Sequence, residues 1–225
     1  MALPFVRILG QLSPQVTDGD AKYIDGAKPG MIYNTVTSEC FDGKKGIKVI
    51  PCYYKKDFPE WSDRGDGPGA PVAVHLPNSP VIQTGKRDGS KIRLPNGNYL
   101  EETASYYVLV ETKAGGMTPA LISMKSTQLN VSKKWNSMMK TIQIPDGKGG
   151  FAIPPMHGVV YNLQSVLQKN DKGSWYGWSV AQDRIMGQED KSLYLNAKDF
   201  RGNVSKGNVQ TKADVEEKAK DNTPY

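Results

Sequence analysis

The sequence predicts an all-β domain with one or two helices, and three observations carry that prediction. Short β-branched and aromatic runs recur along the chain, separated by turn-forming residues. Glycine and proline are frequent, 23 and 15 among 225 residues, as in a sheet protein with many reversals. Past Ser126 the apolar period changes from two to about 3.6, which marks a helix.

Residues 1–30 hold one strand-like run at 5–9, then turn formers at Ser13-Pro14, Asp18-Gly19, Asp25-Gly26 and Pro29-Gly30. Residues 31–41 read as a strand that reverses at Asp42-Gly43. GIKVIPCYYKK at 46–56 is a stronger strand, and its Pro51, which cannot donate to a ladder, predicts an edge position or a bulge. Simple alternation places Ile47, Val49 and Tyr53 on one face and Lys48, Ile50, Cys52, Tyr54 and Lys56 on the other. Residues 62–98 are rich in turn formers and carry Lys86, Arg87, Lys91 and Arg93. That is too long for a structureless loop in a compact domain, so the expectation is a mobile basic excursion between two barrel strands.

The kernel of the chain is 106–139. Residues 106–112 have apolar side chains on both faces, as in a closed or packed sheet. Ala114-Gly115-Gly116 reverses the chain into 118–125. A helix follows over 127–142, with Val131, Trp135, Met138, Met139 and Ile142 on one stripe and Lys133, Lys134, Asn136 and Lys140 opposite. Residues 158–168 and 174–182 form a hairpin across Asn170–Gly173, with Trp175, Tyr176 and Trp178 clustered on its second strand. A short helix is expected at 190–200, with Leu193, Ala197 and Phe200 on one side.

Three strands, a helix and two strands is the order of the OB-fold, a five-stranded Greek-key barrel, here with long loop insertions. Other β-plus-helix arrangements share that order. The expected organisation is a single domain over 1–205, with an N-terminal extension and the basic loop 62–98. A disordered, mildly acidic tail occupies 206–225.

Charge is uneven. Residues 213–225 carry four acidic and two basic residues, so the preceding 212 hold 27 basic and 19 acidic, a net +8. A basic body is the footprint of a polyanion binder, although a mildly basic protein without such a partner reads the same on charge alone. Cys40 and Cys52 lack a CxxC partner and fit a reducing compartment; a disulfide between them stays open. The two histidines, His75 and His157, have no zinc-site spacing. The N-terminal MALPFVRILGQLSP has Pro4 and Arg7 inside its apolar run and no cleavage motif, and no apolar segment approaches the ~20 residues of a membrane span.

Catalytic motifs are missing: no GxSxG elbow, HExxH, Walker loop or helix-opening GxGxxG occurs, so an enzyme is not expected. Instead, aromatic residues interleave with cations at Tyr53-Tyr54-Lys55-Lys56, Trp61, Tyr106-Tyr107, Lys133-Lys134-Trp135 and Lys172 with Trp175. Unpaired bases stack on exposed rings for roughly 1–3 kcal/mol each while cations neutralise the backbone. Trp135, on the helical stripe, reads as core. Tyr54 and Tyr107 fit core packing and base stacking equally, and Trp61, in a polar loop, reads as exposed.

PGMIYNTVTSECFDGKKGIKVIPCYYKKDFPEW at 29–61, LISMKSTQLNVSKKWNSMM at 121–139 and NDKGSWYGW at 170–178 resemble the single-stranded DNA-binding proteins of tailed bacteriophages. The resemblance implies an OB-fold in the cytoplasm of the bacterial host. It also implies sequence-independent binding and protection of single-stranded DNA during phage replication or recombination, with no catalysis, metal or cofactor. Carried onto matching positions, it marks Tyr53, Tyr54, Lys55, Lys56, Trp61, Lys125 and Trp175 as nucleic-acid contacts. Lys48 and Tyr107 join them from the strand reading, and Lys86 and Arg87 from the basic loop. Self-association along DNA would use 1–30 or 183–205, and the tail would recruit phage replication proteins, although its interspersed lysines weaken that expectation. The competing class is a non-enzymatic virion structural or assembly protein, which would also be β-rich and free of catalytic residues.

Overall fold

The computed structural model describes residues 3–63, 70–171 and 173–209. In chain order the elements are β1 (Val6–Ile8), β2 (Ile32–Asn34), β3 (Cys40–Phe41), β4 (Ile47–Trp61), β5 (Ala73–His75) and α1 (Pro80–Thr84). There follow β6 (Lys86–Asp88), β7 (Lys91–Arg93), β8 (Tyr99–Glu101), β9 (Thr103–Glu111), β10 (Met117–Lys125) and α2 (Leu129–Thr141). The chain closes with β11 (Ile144–Pro145), β12 (Phe151–Ala152), β13 (Val159–Asn170), β14 (Gly173–Ile185) and α3 (Lys191–Ser205). The class is mostly β with three helices, one more than the sequence predicts, because the five residues of α1 are too few to show a helical period.

β4 is the hub. It pairs antiparallel with β9 along 49–57 and with β13 along 47–49, while its far end pairs with β5 and β8. The strands β10, β9, β4, β13 and β14 therefore lie side by side in a strongly curled antiparallel half-barrel. Among the described residues no ladder joins the outer strands β10 and β14. Gln128 links the two sides instead, its Oε1 accepting from the Trp178 backbone N–H at 2.7 Å.

Of the edge position or bulge expected at Pro51, the structure has the bulge, between Pro51 and Tyr53 in a strand paired on both sides, and it overturns the simple alternation of faces. Cys52 is the extra residue, so the faces exchange beyond it. Tyr54 joins Ile47 and Val49 on the concave side, and Tyr53 joins Ile50 and Cys52 on the convex side. Lys48 thus lies on the face opposite Tyr54 and Lys56. Cys40 and Cys52 are free thiols, and burial pushes Cys52 up to about 12.

The concave side is filled by α2. Trp135 is fully buried, stacks on Tyr106 at 4.3 Å between centroids and meets Tyr161 edge-on at 5.6 Å. The Tyr106 hydroxyl lies 2.8 Å from Ser132 Oγ and donates to the Ser132 carbonyl at 3.1 Å, so the polar end of the ring is satisfied inside the core. On the convex side, Ile50, Tyr107, Leu109 and Val160 pack beneath Ala197 and Phe200 of α3.

In the N-terminal segment Val6 and Leu9 are buried and Phe5 bridges to Leu121, and α3 covers the convex core. The excursion over 62–98 is folded wherever it is described, because β4 overruns the half-barrel and offers β5 and β8 a template. It has its own core of Phe58, Ile92, Leu94 and Leu100. Residues 64–69 of the excursion, Lys172 and tail residues 210–225 lie outside the described residues. Of the tail, Val209 packs against the convex core. No helix among the described residues is long and apolar enough to cross a membrane.

Candidate nucleic-acid interface

The residues singled out by sequence fall into three groups. The first is Tyr53–Lys56, just past the bulge. Tyr54 is half-buried and tilts onto Tyr106 at 5.0 Å, while Tyr53 is half-buried and stands edge-on to Tyr107 at 5.9 Å. Tyr107 is only 5% exposed beneath α3 and offers no ring face to a base. Neighbouring cations are paired with carboxylates: Lys48 with Asp183, Lys55 with Asp57 at 3.1 Å, and Lys56 with Glu102 at 2.8 Å. The Glu102 hydrogen bond raises the Lys56 pKa above its ordinary value.

The second group is Lys86 and Arg87 on β6. Both are exposed, and neither forms an ion pair among the described residues. They sit at the far end of the order β10-β9-β4-β8-β7-β6, and so apart from the other candidates.

The third group is brought together. Trp61 is not in a loop; it ends β4 and pairs with Tyr99, because the strand runs five residues past its predicted end at Lys56. Lys125 ends β10 with its Nζ 6.0 Å from the centroid of the Trp61 ring. The chain then turns through Ser126, whose φ of +52° is unusual for a residue with a side chain. Ser126 and Thr127 line a concavity of about 330 Å³ with Asn170, Gly173, Ser174 and Trp175. Trp61, Lys125 and Trp175 thus follow one another along the rim where the β13–β14 hairpin approaches the end of β10. Both indoles are half-buried, with a buried Nε1–H that has no partner among the described residues.

Sequence reasoning missed the acidic partners. Glu101 accepts from Lys125 at 2.7 Å and Glu102 from Lys56. It also missed Tyr99, whose ring carries Lys91 Nζ at 3.6 Å and the Arg93 guanidinium carbon at 5.6 Å. The alternation of Lys91, Arg93 and Tyr99 on paired strands was the available signal. No group of three or more His, Cys, Asp or Glu able to hold a metal occurs among the described residues.

A mostly β half-barrel with a cationic, aromatic rim is the class these features define. Residues 1–210 match the family described as Pam3 phage gp34-like protein, and the chain belongs to that family of phage proteins. No curated protein and no solved structure matches it. The family match takes in β1 and α3, which lie outside the resembling blocks at 29–61, 121–139 and 170–178.

Proposed function

We propose that this phage protein binds single-stranded DNA without sequence preference and protects it during replication or recombination in the host cytoplasm, using an OB-fold and no catalysis. The strand order supports the fold reading, with α2 standing between the third and fourth barrel strands. OB-folds bind oligonucleotides on strands two and three and on the loops joining strands one to two and four to five. Here those are β9–β10, the folded excursion and the tip of the β13–β14 hairpin. The observation that carries the reading is the Trp61–Lys125–Trp175 rim, which runs between these elements.

The ion pairs do not oppose it. Lys125 is 55% exposed in its pair with Glu101, and such surface pairs are worth only about 0–1 kcal/mol, so a phosphate competes readily for the ammonium group. Titration of the intrinsic Trp fluorescence with oligo-dT tests the proposal. Affinity is expected to fall linearly in log[salt], with a slope near 0.7 per phosphate contacted. Trp61→Ala is expected to weaken binding about 5- to 150-fold, the equivalent of one stacked base. Wild-type affinity in that variant would show the indole to be packing only.

A second reading, a virion structural or assembly component, draws on one observation. Val72, Val74 and Leu76 alternate along and beside the edge strand β5 and are 56%, 44% and 64% exposed. Such a component would bind oligo-dT weakly and with little salt dependence.

A further inference from the structure

Tyr176 follows Trp175 on β14 and therefore points to the opposite face of the hairpin. It borders a groove of about 800 Å³ whose other lining includes Lys28, Asp42, Lys44, Val166 and Leu167. None of these belongs to the rim described above.

The groove walls are fixed by the fold. The Ser165 backbone N–H donates to the Gly43 carbonyl at 2.8 Å, and the Gln164 side-chain amide donates to the Lys44 carbonyl at 2.6 Å. Gly30 has φ +88° and lies so close to Tyr176 that a Cβ there would sit 2.5 Å from the ring. The loop over 42–46 is thereby fastened to β13, and the loop over 26–31 to Tyr176.

The chemistry of the lining is mixed in a particular way. Leu167 pairs across the hairpin with Tyr176, shares its face and is 61% exposed, so the floor is uncovered apolar surface. Lys28 and Lys44 are exposed, and neither forms an ion pair among the described residues. Asp42 is the opposing charge, but its Oδ1 accepts from the backbone N–H groups of Lys44 at 2.8 Å and Lys45 at 3.3 Å, within its own turn. A wholly apolar partner would leave both ammonium groups unused. An alternation of flat bases and phosphates uses floor and rim together.

We propose that this groove is a second subsite for single-stranded nucleic acid, taking the strand after it crosses the hairpin tip from Trp175; the inference rests on the binding role proposed above. Bases lie against Tyr176 and Leu167, and Lys28 and Lys44 neutralise two phosphates.

The test titrates the full chain and its Lys28→Ala/Lys44→Ala variant with oligo-dT of about 20 nucleotides across a salt series. Loss of two phosphate contacts is expected to lower the slope of log K against log[salt] by about 1.4. A charge-matched control, Lys133→Ala/Lys134→Ala on the exposed side of α2, is expected to keep the wild-type slope. If the wild type binds and the Lys28/Lys44 variant has its slope, the subsite is refuted and the binding role stands. An equal fall in both double variants also refutes it, because diffuse charge then explains the loss. If the wild type does not bind oligo-dT at all, the binding role fails and the subsite with it.

Discussion

Glu60 is the residue whose replacement should detach the excursion from the half-barrel. Its carboxylate is buried near the end of β4, where it is met by His75 Nε2 at 2.7 Å and accepts from Asn98 Nδ2 at 2.6 Å and Asn96 Nδ2 at 3.1 Å. Those three donors come from β5 and from the turn between β7 and β8, so one side chain ties together segments that are otherwise short. Glu60→Ala removes three hydrogen bonds to a charged acceptor. Each is worth about 1.5–3 kcal/mol, but the donors are partly re-solvated once freed, so a net local loss of about 2–3 kcal/mol is expected. Amide hydrogen exchange reads it directly: protection over β5–β8 should fall about 30- to 150-fold, while β9, β10 and β13 keep theirs. Burial acts to raise the Glu60 pKa, but Asn98, His75 and Asn96 together outweigh it and hold the carboxyl below its ordinary value. With a depressed folded pKa, the stabilisation is complete above the ordinary value of about 4.3 and is lost as pH falls through the folded one. Uniform deprotection of the whole chain, or none anywhere, would refute the assignment of Glu60 as a local tie.

Three further predictions follow from the packing and the ion pairs. Trp135→Ala should cost about 3–5 kcal/mol in urea unfolding, because the indole fills the concave core between Tyr106 and Tyr161; a loss under 1 kcal/mol would mean the half-barrel does not depend on α2. Glu101→Gln frees Lys125 from its carboxylate and should tighten oligo-dT binding about 1.4- to 5-fold, matching a surface pair of about 0.2–1 kcal/mol; weaker binding would show that Glu101 positions Lys125 instead of competing for it. His157 is buried against Tyr194, neither ring nitrogen has a partner among the described residues, and burial followed by the nearby Arg201 and Lys198 lowers its pKa. The unfolded chain therefore takes up the proton first, and stability should be full above about pH 6.5 and decline below it; His157→Phe should flatten the urea midpoint over that range.

The long strands were legible because one period governs each. Residues 106–110 read as packed on both faces, and the structure buries all five. The stripe containing Trp135 and Met139 read as helix core, and both are buried. The excursion was not legible because β5 to β8 have three residues each, too few to show alternation. Its core joins Phe58 to Leu94 and Leu100, positions far apart in the chain. Pro51 signals an edge or a bulge but not the residue at which counting restarts, so simple alternation puts Tyr53 and Tyr54 on the wrong faces. Of the site, Lys125 lies over Trp61, and the next two residues, Ser126 and Thr127, line one concavity with Trp175. The pairing of Lys56 and Lys125 with Glu102 and Glu101 was hidden, because a carboxylate next to a strand looks the same whether it faces water or a cation on a neighbour.

The N-terminal segment also has a practical consequence. The Pro4 carbonyl accepts from the Leu121 N–H at 2.8 Å, and Phe5 lies alongside the same residue on the outermost strand β10. Residues 3–5 therefore insulate an otherwise bare edge that would recruit other chains. A bulky fusion at this end, or trimming these residues away, would strip that insulation and favour clumping during purification. A handle at the opposite terminus leaves it in place.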